Sequence, residues 1–300
     1  MAEYQDRFVT VINYIEANLN TDLDTETLCQ QAHLSKYHFH RQCSAFFGMP
    51  LMSLVKLLRL KRAAYQLAYR ADKKVIDVAL ANGYESHEAF SRAFKKHFLK
   101  SPSDFRMSPD WRPWQKYYEP IETLRNTVMD KTAQFNVTLV DFPETFIAVM
   151  EHRGAPHLLG NTIQKFIAWR KEHQLPPSQH KTFNLVYDDP TVTSSEDFRF
   201  DLACSIARPM DDTIDKRNEK RSEKNVGGVV NKTIPAGKCA VIRHVGSDDT
   251  IGVAVNYLYT QWLNDSGFEL RDFPVFFERV SFFPDVPEHK MVTDVFLPIE

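Results

Sequence analysis

The sequence predicts a multidomain protein, with an all-α N-terminal head built from two helix-turn-helix units and an α+β C-terminal domain. Its 300 residues exceed what one ordinary hydrophobic core needs, which favours two domains. A capped helical pattern recurs after 51 residues in four matched pairs: Ser35 and Ser86, Phe39 and Phe90, Arg41 and Arg92, and Phe47 and Phe98. A second pattern recurs after 92 or 93 residues in three matched pairs: His152 and His244, Trp169 and Trp262, and Asp201 and Asp294.

The composition excludes several classes of protein. The chain is 43% hydrophobic and 25% charged, as in globular proteins rather than disordered or membrane proteins. No apolar run approaches the roughly 20 residues of a membrane span, and residues 1–6 lack the features of a signal peptide. The scattered cysteines favour small buried thiols: Cys29, Cys43, Cys204 and Cys239. We therefore expect a cytoplasmic protein without a membrane partner.

The net charge of −2 conceals a difference between the two ends of the chain. Residues 1–112 contain 16 Lys and Arg residues against 12 Asp and Glu, a net +4, which leaves −6 for residues 113–300. A mildly basic head on an acidic body is typical of a nucleic-acid-binding module joined to a domain that does not bind nucleic acid.

The first helix-turn-helix unit follows from local helix signals. Apolar residues recur at helical spacing over residues 7–18, which predicts an amphipathic helix. Asp24 is placed to cap a short second helix, and Ser35 to cap a first recognition helix that ends at Gly48 and Pro50. A capped helix that follows a short helix and a tight turn is the layout of a helix-turn-helix.

A long helix over residues 51–68 is predicted to join the first unit to the second. Four basic residues lie mostly on its outward side: Lys56, Arg59, Lys61 and Arg62. The second unit begins with a short helix over residues 75–80, and Gly83 stands where the chain must turn sharply. Its recognition helix has an apolar stripe formed by Phe90, Phe94 and Phe98, and residues 101–106 close the unit.

The end of the head carries a specific resemblance. Its residues are Gly83-Tyr84-Glu85-Ser86, Phe90-Ser91-Arg92-Ala93-Phe94-Lys95-Lys96, Phe98, Ser101-Pro102 and Phe105-Arg106. With two helix-turn-helix units joined by a long helix, residues 6–108 resemble the AraC/XylS family of transcription regulators. In that family the two recognition helices enter adjacent major grooves, about 34 Å apart on one face of the duplex. The resemblance implies a sequence-specific regulator whose partners are promoter or operator DNA and RNA polymerase.

Carried over from the family, the base-facing positions form one set in each recognition helix. They are Lys36, Tyr37, His40 and Arg41 in the first helix, and His87, Glu88, Ser91 and Arg92 in the second. Arg41 and Arg92 are the strongest candidates, because a guanidinium can pair with guanine O6 and N7 in bidentate fashion. Two roles remain possible for Glu88, namely accepting a hydrogen bond from a cytosine amine or orienting Arg92. The alternative for every member is an ordinary solvated surface residue.

Residues 109–134 are predicted to link the two domains. Pro109, Pro113 and Pro120 punctuate a polar and aromatic stretch, which is typical of an interdomain segment. Its aromatic residues are expected to pack against a neighbouring surface: Trp111, Trp114, Tyr117 and Tyr118. The second domain then covers residues 135–300.

Each half of this second domain is predicted to be a strand, helix, strand, strand unit, and a pseudo-twofold axis relates the halves. The elements lie at residues 145–150, 162–173, 183–187 and 198–206, and again at 238–242, 253–264, 275–283 and 291–297. Two such units side by side would leave a cleft between them. Residues 211–232 are charged and contain Gly227-Gly228, so we interpret them as a mobile link between the halves.

Four motifs carry a second resemblance. They are Tyr187-Asp188-Asp189-Pro190, Ile234-Pro235-Ala236-Gly237, Trp262-Leu263 with Ser266-Gly267-Phe268, and Pro274-Val275-Phe276-Phe277-Glu278-Arg279. On these motifs, residues 135–300 resemble the GyrI-like effector-binding domain. The resemblance implies a cleft that binds a small apolar or cationic effector against a strand carboxylate, and Glu278 stands at that position. The aromatic residue usual two positions later is Val280 here.

The surroundings of Glu278 suit a cationic ligand. Strand alternation places Glu278 on the same face as Phe276 and Phe282. A ligand amine would satisfy a buried carboxylate, and aromatic faces would add cation–π attraction of about 0.5–2 kcal/mol each. The predicted ligand-binding residues are Glu278, Trp169, Trp262, Phe276 and Tyr187. Two alternatives stay open, namely tryptophans that belong to the plain core and an ion pair of Glu278 with Arg279 or Arg243.

The sequence lacks the common catalytic motifs. The sequence has no Gly-x-Ser-x-Gly elbow, no phosphate-binding glycine loop and no His-Glu-x-x-His, so we expect neither a cofactor nor a metal ion. The resemblance leaves open a hydrolase of reactive small molecules with Glu278 as general base, and a protein-interaction or drug-sequestering module. The DNA-binding head favours a regulator that is not an enzyme.

Overall fold

The computed structural model of the chain describes residues 2–190, 192–210 and 228–300, which form two compact units. The first unit comprises Met1–Gln134 and two later segments, Val245–Val253 and Phe282–Met291. The second unit comprises Phe135–His244, Ala254–Ser281 and Val292–Glu300. The first is helical and the second combines a sheet with helices, which confirms the predicted all-α and α+β classes.

Eight α-helices build the N-terminal part of the first unit: α1 (Ala2–Ala17), α2 (Thr25–Gln31), α3 (Lys36–Phe47), α4 (Leu51–Tyr69), α5 (Val75–Ala81), α6 (His87–Phe98), α7 (Pro102–Met107) and α8 (Arg112–Thr132). The predicted caps are confirmed, because the side chains of Asp24, Ser35 and Ser86 each accept a hydrogen bond from the amide three residues later. No single described helix is long and apolar enough to span a membrane, and one pair, α3 with α4, passes such a test jointly with a bend of 51°.

One hydrophobic core holds these helices together, and the stripe of α6 is fully buried in it. The basic side of α4 differs from the expectation. Lys56 is exposed, but Arg59 and Arg62 are half-buried, and Lys61 is buried against Glu288 of the segment Phe282–Met291. The predicted outward position of Lys61 is therefore wrong, because a partner distant in sequence supplies the opposite charge that its burial requires.

The segment predicted as a linker, residues 109–134, contains the 21-residue helix α8. Pro113 lies in its first turn, where a missing N–H costs nothing, and Pro120 lies inside the helix. The aromatic residues pack as expected, and Trp114 and Tyr118 are buried in the core of the first unit. The helix is thus part of this unit rather than a spacer.

In the described part of the chain, eight strands form one sheet: β1 (Val137–Phe142), β2 (Thr145–Arg153), β3 (Thr182–Val186), β4 (Arg199–Ser205), β5 (Val229–Ile234), β6 (Gly237–Val245), β7 (Val275–Arg279) and β8 (Val292–Pro298). Their order across the sheet is β1-β6-β8-β7-β3-β4-β2-β5. Helix α9 (Leu159–Glu172) belongs to the first half. In the second half, a π-helical turn at Leu258–Trp262 joins α10 (Ile251–Tyr257) to α11 (Leu263–Ser266).

Each half contains one strand more than the sequence predicts, and that strand pairs with the other half. Strand β1 opens the first half but pairs with β6, and β5 opens the second half but pairs with β2. Both are edge strands with several polar residues, so their hydrophobic pattern is weak. Residues 229–232 of the predicted link belong to β5, while residues 211–227 lie outside the described part of the chain.

The two faces of the sheet carry separate apolar clusters. Helix α9 covers one face, where Trp169 packs with Ala148 and Met150. The opposite face, which we call the inner face, carries a cluster that includes Phe142, Val149, Phe183, Leu185, Phe276 and Phe296. The rings of Phe142 on β1 and Phe183 on β3 are 6.2 Å apart although four strand steps separate them. The sheet therefore curves strongly around the inner face.

Candidate functional site

Helices α3 and α6 present matched outward faces. In each helix the residues at i, i+4 and i+8 are buried: Phe39, Cys43 and Phe47 in α3, and Phe90, Phe94 and Phe98 in α6. Six of the predicted base-facing residues are exposed: Lys36, Tyr37, Arg41, His87, Glu88 and Arg92. His40 is half-buried, and the hydroxyl oxygen of Ser91 is buried, so these two side chains are less open to a partner.

Arg41 and Arg92 are open to an external acceptor, because neither guanidinium has a hydrogen bond or salt bridge within the described part of the chain. Glu88 stands one helical turn before Arg92. The pKa of Glu88 is lowered first by its own backbone N–H at the start of α6, then by the Ser86 hydroxyl, and less strongly by Arg92. Glu88 and Arg92 thus carry opposite charges at the i, i+4 spacing.

Arg59 of α4 connects the two helix-turn-helix units. Its Nε donates to the carbonyl oxygen of Leu19 at 3.1 Å, and its Nη2 donates to that of Thr21 at 2.7 Å, both just before α2. The same guanidinium lies against Gly83, in the turn between α5 and α6, where φ is +75°. One side chain of the linking helix therefore contacts a turn of each unit.

Arg62, three residues after Arg59 on α4, holds the second helix-turn-helix unit further. Its Nε donates to Asn82 Oδ1 at 2.8 Å, and its Nη2 donates to the carbonyl oxygen of Ala81. Asn82 is fully buried, and its Nδ2 donates to Gln66 Oε1 at 2.8 Å and to the carbonyl oxygen of Val78 at 2.7 Å. This satisfied polar network attaches the turn of the second unit to the linking helix.

Glu278 lies on the inner face, opposite Phe183 on β3 and Asp294 on β8. Its side chain is 14% exposed, and one carboxylate oxygen accepts a hydrogen bond from Lys181 Nζ at 2.9 Å. Lys181 is 62% exposed and lies just before β3. The sequence did not reveal this partner, because the register between strands that are distant along the chain cannot be predicted from one sequence.

The two arginines considered as partners of Glu278 are bonded elsewhere. Arg243 donates to both carboxylate oxygens of Asp294 at 2.7 Å, and Arg279 donates to Asn184 Oδ1 at 2.9 Å. Arg243 does lie close enough to Glu278 for the carboxylate to help raise the pKa of the guanidinium, after the larger influence of Asp294. Glu278 and Asp294 thus form an acidic corner of the inner face. Their partners in the described part of the chain, Lys181 and Arg243, have largely exposed side chains.

Tyr187 lies at a different corner of the inner face, four residues or about 13 Å along the strand direction from Phe183. Its hydroxyl donates to Asp201 Oδ2 at 2.9 Å, and Asp201 also accepts from Arg153 and Lys232 at 2.7 Å. Burial raises the pKa of Tyr187, and Asp201 raises it further. Asp201 is therefore already neutralised by two cations of the chain itself.

The structure does not gather the five predicted ligand-binding residues into one pocket. Phe276 is fully buried in the inner-face cluster, beside Glu278 along β7. Trp169 belongs to α9 and packs against the opposite face of the sheet, so the expectation that it flanks Glu278 is wrong. The pseudo-twofold repeat relates Trp169 to Trp262 but carries no information about the face. Trp262 is half-buried, and its ring stacks on Phe268 at 6.1 Å.

Two families of known proteins match the two parts of the chain. Residues 135–300 match the GyrI-like small molecule binding domain, and residues 28–108 match a helix-turn-helix domain. The first match covers more than half of the chain, and both agree with the resemblances found in the sequence.

Individual proteins are similar to parts of the chain. The probable transcriptional regulator YgiV of Escherichia coli (strain K12) is 37% identical over 165 residues, which are 55% of this chain and 96% of that protein. The uncharacterized HTH-type transcriptional regulator YbfP of Bacillus subtilis (strain 168) is 38% identical over 103 residues, which are 34% of this chain and 35% of that protein. The crystal structure of the EcmrR C-terminal domain aligns with a TM-score of 0.42 at 15% identity, over 56% of this chain and 99% of that one.

Proposed function

The chain belongs to the family of GyrI-like small molecule binding domains, joined to an AraC-type helix-turn-helix head, and from this premise we propose how it binds DNA and effector. It is a DNA-binding transcription regulator with an effector-binding domain. In this proposal α3 and α6 enter two adjacent major grooves of one operator, and a cationic, apolar effector binds near Glu278. RNA polymerase is the expected partner at the promoter.

One observation supports the DNA proposal above the others, namely the equivalent outward placement of Arg41 and Arg92. Each arginine comes two residues after the first buried phenylalanine of a 12-residue helix. Neither guanidinium has an internal acceptor among the described residues. Direct reading of bases requires side chains of this kind at these positions. Arg59 and Arg62 attach α4 to both units, which supports a fixed separation between the two helices.

The test is a selection of duplexes from a random pool by the full chain. The selected duplex is expected to bind at least about 10³-fold more tightly than random duplex, the lower range for specific recognition. Arg41→Ala combined with Arg92→Ala should remove most of this preference. Arg208→Ala, at an exposed arginine of the compact unit that contains the sheet, should leave the preference intact. A protein that selects no preferred sequence would contradict the proposal.

The effector proposal is supported by the way Glu278 is paired. Its carboxylate is mostly buried beside Phe183 and Phe276, yet its described partner is the exposed Lys181. An exposed lysine contributes little to such a pair, so a ligand cation can displace it at small cost. An apolar cation would add burial of its own surface to the charge-assisted contact. The carboxylate of Asp201, in contrast, is occupied by Arg153 and Lys232.

Two substitutions with opposite expected effects test this site. Glu278→Gln should weaken binding of benzyltrimethylammonium by more than about tenfold, while Lys181→Met should strengthen it because the competing cation is gone. Neopentylbenzene, the uncharged analogue of the same shape, should respond little to either change. Unchanged binding of the cation in Glu278→Gln would contradict the site.

The hydrolase alternative gives a different result in the same proteins. Consumption of a reactive epoxide by the wild-type chain, lost in Glu278→Gln, would support a catalytic carboxylate instead. We propose that the chain acts by binding, so no such consumption is expected.

A further inference from the structure

Lys61 of α4 is held in the core of the first unit by a residue from far along the chain. Its ammonium group lies 2.6 Å from Glu288 Oε1, and the side chains of Lys61 and Glu288 are only 8% and 3% exposed. The same ammonium group lies 3.7 Å from the centre of the Tyr118 ring. Glu288 belongs to the segment Phe282–Met291, which follows β7 and precedes β8.

Arg125 of α8 extends this ion pair into a buried network. Its Nη1 donates to Glu288 Oε2 at 2.6 Å and to Asp249 Oδ2 at 3.0 Å, and its Nη2 donates to Glu16 Oε1 at 2.6 Å. Asp249 belongs to the other late segment, Val245–Val253, and also accepts a hydrogen bond from the Tyr118 hydroxyl at 2.7 Å. Three carboxylates thus surround two cations, and two of the three come from the late segments.

The network reaches the linking helix where that helix holds the recognition units. Lys61 lies between Arg59, which contacts a turn of each unit, and Arg62, which holds the turn at Asn82. A buried cation that loses its counter-charge is strongly destabilised, so Glu288 stabilises this part of α4 through Lys61. The residues that supply the counter-charge lie within the part of the sequence that matches the GyrI-like family.

We propose that Glu288, together with Asp249, is a positioning residue for DNA recognition. These carboxylates hold α4 through Lys61 and Arg125 and thereby fix the separation of α3 and α6. The effector-binding half of the sequence therefore supplies part of the structure that sets operator geometry. Glu278 on β7 lies ten residues before Glu288, so the same short stretch of chain carries the proposed effector contact and the contact to α4. The inference rests on the proposed function in that α3 and α6 read one operator together.

The spacing of the operator provides a readout that loss of stability alone would not change. Full-length proteins are compared on the duplex selected by the wild-type chain and on the same duplex with one base pair inserted between the half-sites. The insertion moves one half-site by about 3.4 Å and rotates it around the duplex, so we expect the wild type to lose at least about tenfold in affinity. In Glu288→Gln this ratio should fall below about threefold, because α4 is no longer held in one position.

Control variants separate positioning from folding. Asp285→Asn, in the same segment, removes a pair with Arg70 that is open to solvent, and it should keep the wild-type ratio. If Glu288→Gln folds poorly, the double variant Lys61→Met/Glu288→Gln removes both charges of this buried pair and should recover stability while the ratio stays low. A ratio equal to that of the wild type in the folded variants, which equal weakening on both duplexes would give, would overturn the inference. A wild-type chain that selects no duplex would instead contradict the proposed function itself.

Discussion

Arg59 lies so close to Gly83 that a Cβ atom at residue 83 would be 2.8 Å from Arg59 Nη1. The guanidinium is held there by its hydrogen bonds to the carbonyl oxygens of Leu19 and Thr21. Glycine is therefore needed at residue 83 for two reasons, the left-handed φ of +75° and the space that Arg59 fills. Arg59 therefore packs against a turn of each of the two helix-turn-helix units.

Gly83→Ala is expected to lower the free energy of unfolding by about 2–3 kcal/mol. The left-handed conformation costs Ala about 1 kcal/mol, and displacement of Arg59 weakens hydrogen bonds that contribute about 1 kcal/mol each. Gly48→Ala is the matched control, because Gly48 has a φ of +65° and nothing within 4 Å of the added Cβ. Denaturant unfolding of the full chain measures both losses. Equal losses in the two variants would show that Arg59 moves aside without cost.

A fragment of residues 1–112 is expected not to fold at 25 °C, because it lacks α8. Four residues of α8 are buried in the core: Trp114, Tyr118, Ile121 and Leu124. Their burial contributes on the order of 6–12 kcal/mol, which is comparable to the whole stability of a small domain. Thermal unfolding followed by near-ultraviolet circular dichroism tests this. A cooperative transition in the fragment would contradict the assignment of α8 to the first unit.

The free energy of unfolding of the helical compact unit is expected to fall in acid, because Asp249 becomes protonated. Burial would raise the pKa of Asp249, but Lys61 and Arg125 outweigh it and lower the pKa to about 2. A lowered folded-state pKa gives stability that is present above the unfolded-state value near 4 and is lost as the pH falls from about 4 to about 2. The loss amounts to about 2 kcal/mol. Melting temperatures between pH 2 and 5 measure it.

Asp249→Asn should show a shallower decline of Tm over the same pH range, since it has no carboxylate to protonate. Asp285→Asn serves as the control, because its pair with Arg70 is exposed and contributes little. A decline in Asp249→Asn as steep as that of the wild type would show that other carboxylates cause the acid sensitivity.

The sequence was most informative where structure is set locally. The caps at Asp24, Ser35 and Ser86 and the buried stripe of α6 depend on residues within one or two turns, so spacing alone predicted the head and its matched helices. The outward direction of Arg41 and Arg92 follows from that same periodicity.

Long-range pairing was beyond the reach of the sequence. Lys61 has the position of a surface residue on α4, and its burial is explained by Glu288, more than two hundred residues later, which the sequence did not connect with it. Edge strands β1 and β5 lack a strong apolar alternation. The repeat identified Trp169 as equivalent to Trp262, but the face that α9 covers is decided by packing.

Effector and operator are expected to influence each other's binding. Saturating benzyltrimethylammonium should change the affinity of the wild type for its selected duplex by about 5–150-fold, and the duplex should change the affinity for the cation by the same factor. Glu278→Gln should abolish both effects. Titration calorimetry in each order checks the equality of the two factors, and a probe that binds without any change in duplex affinity would contradict effector control through this site.

Reading of two grooves of one operator by α3 and α6 can be tested by selecting duplexes with single variants. Full-length Arg41→Ala and Arg92→Ala are each used to select from the same random pool as the wild type. We expect each variant to relax a different base pair, at a cost of about 1–3 kcal/mol, and the two relaxed positions to lie about 10 base pairs apart. Relaxation at the same position, or equal weakening on every sequence, would show that the two arginines do not read bases in separate grooves.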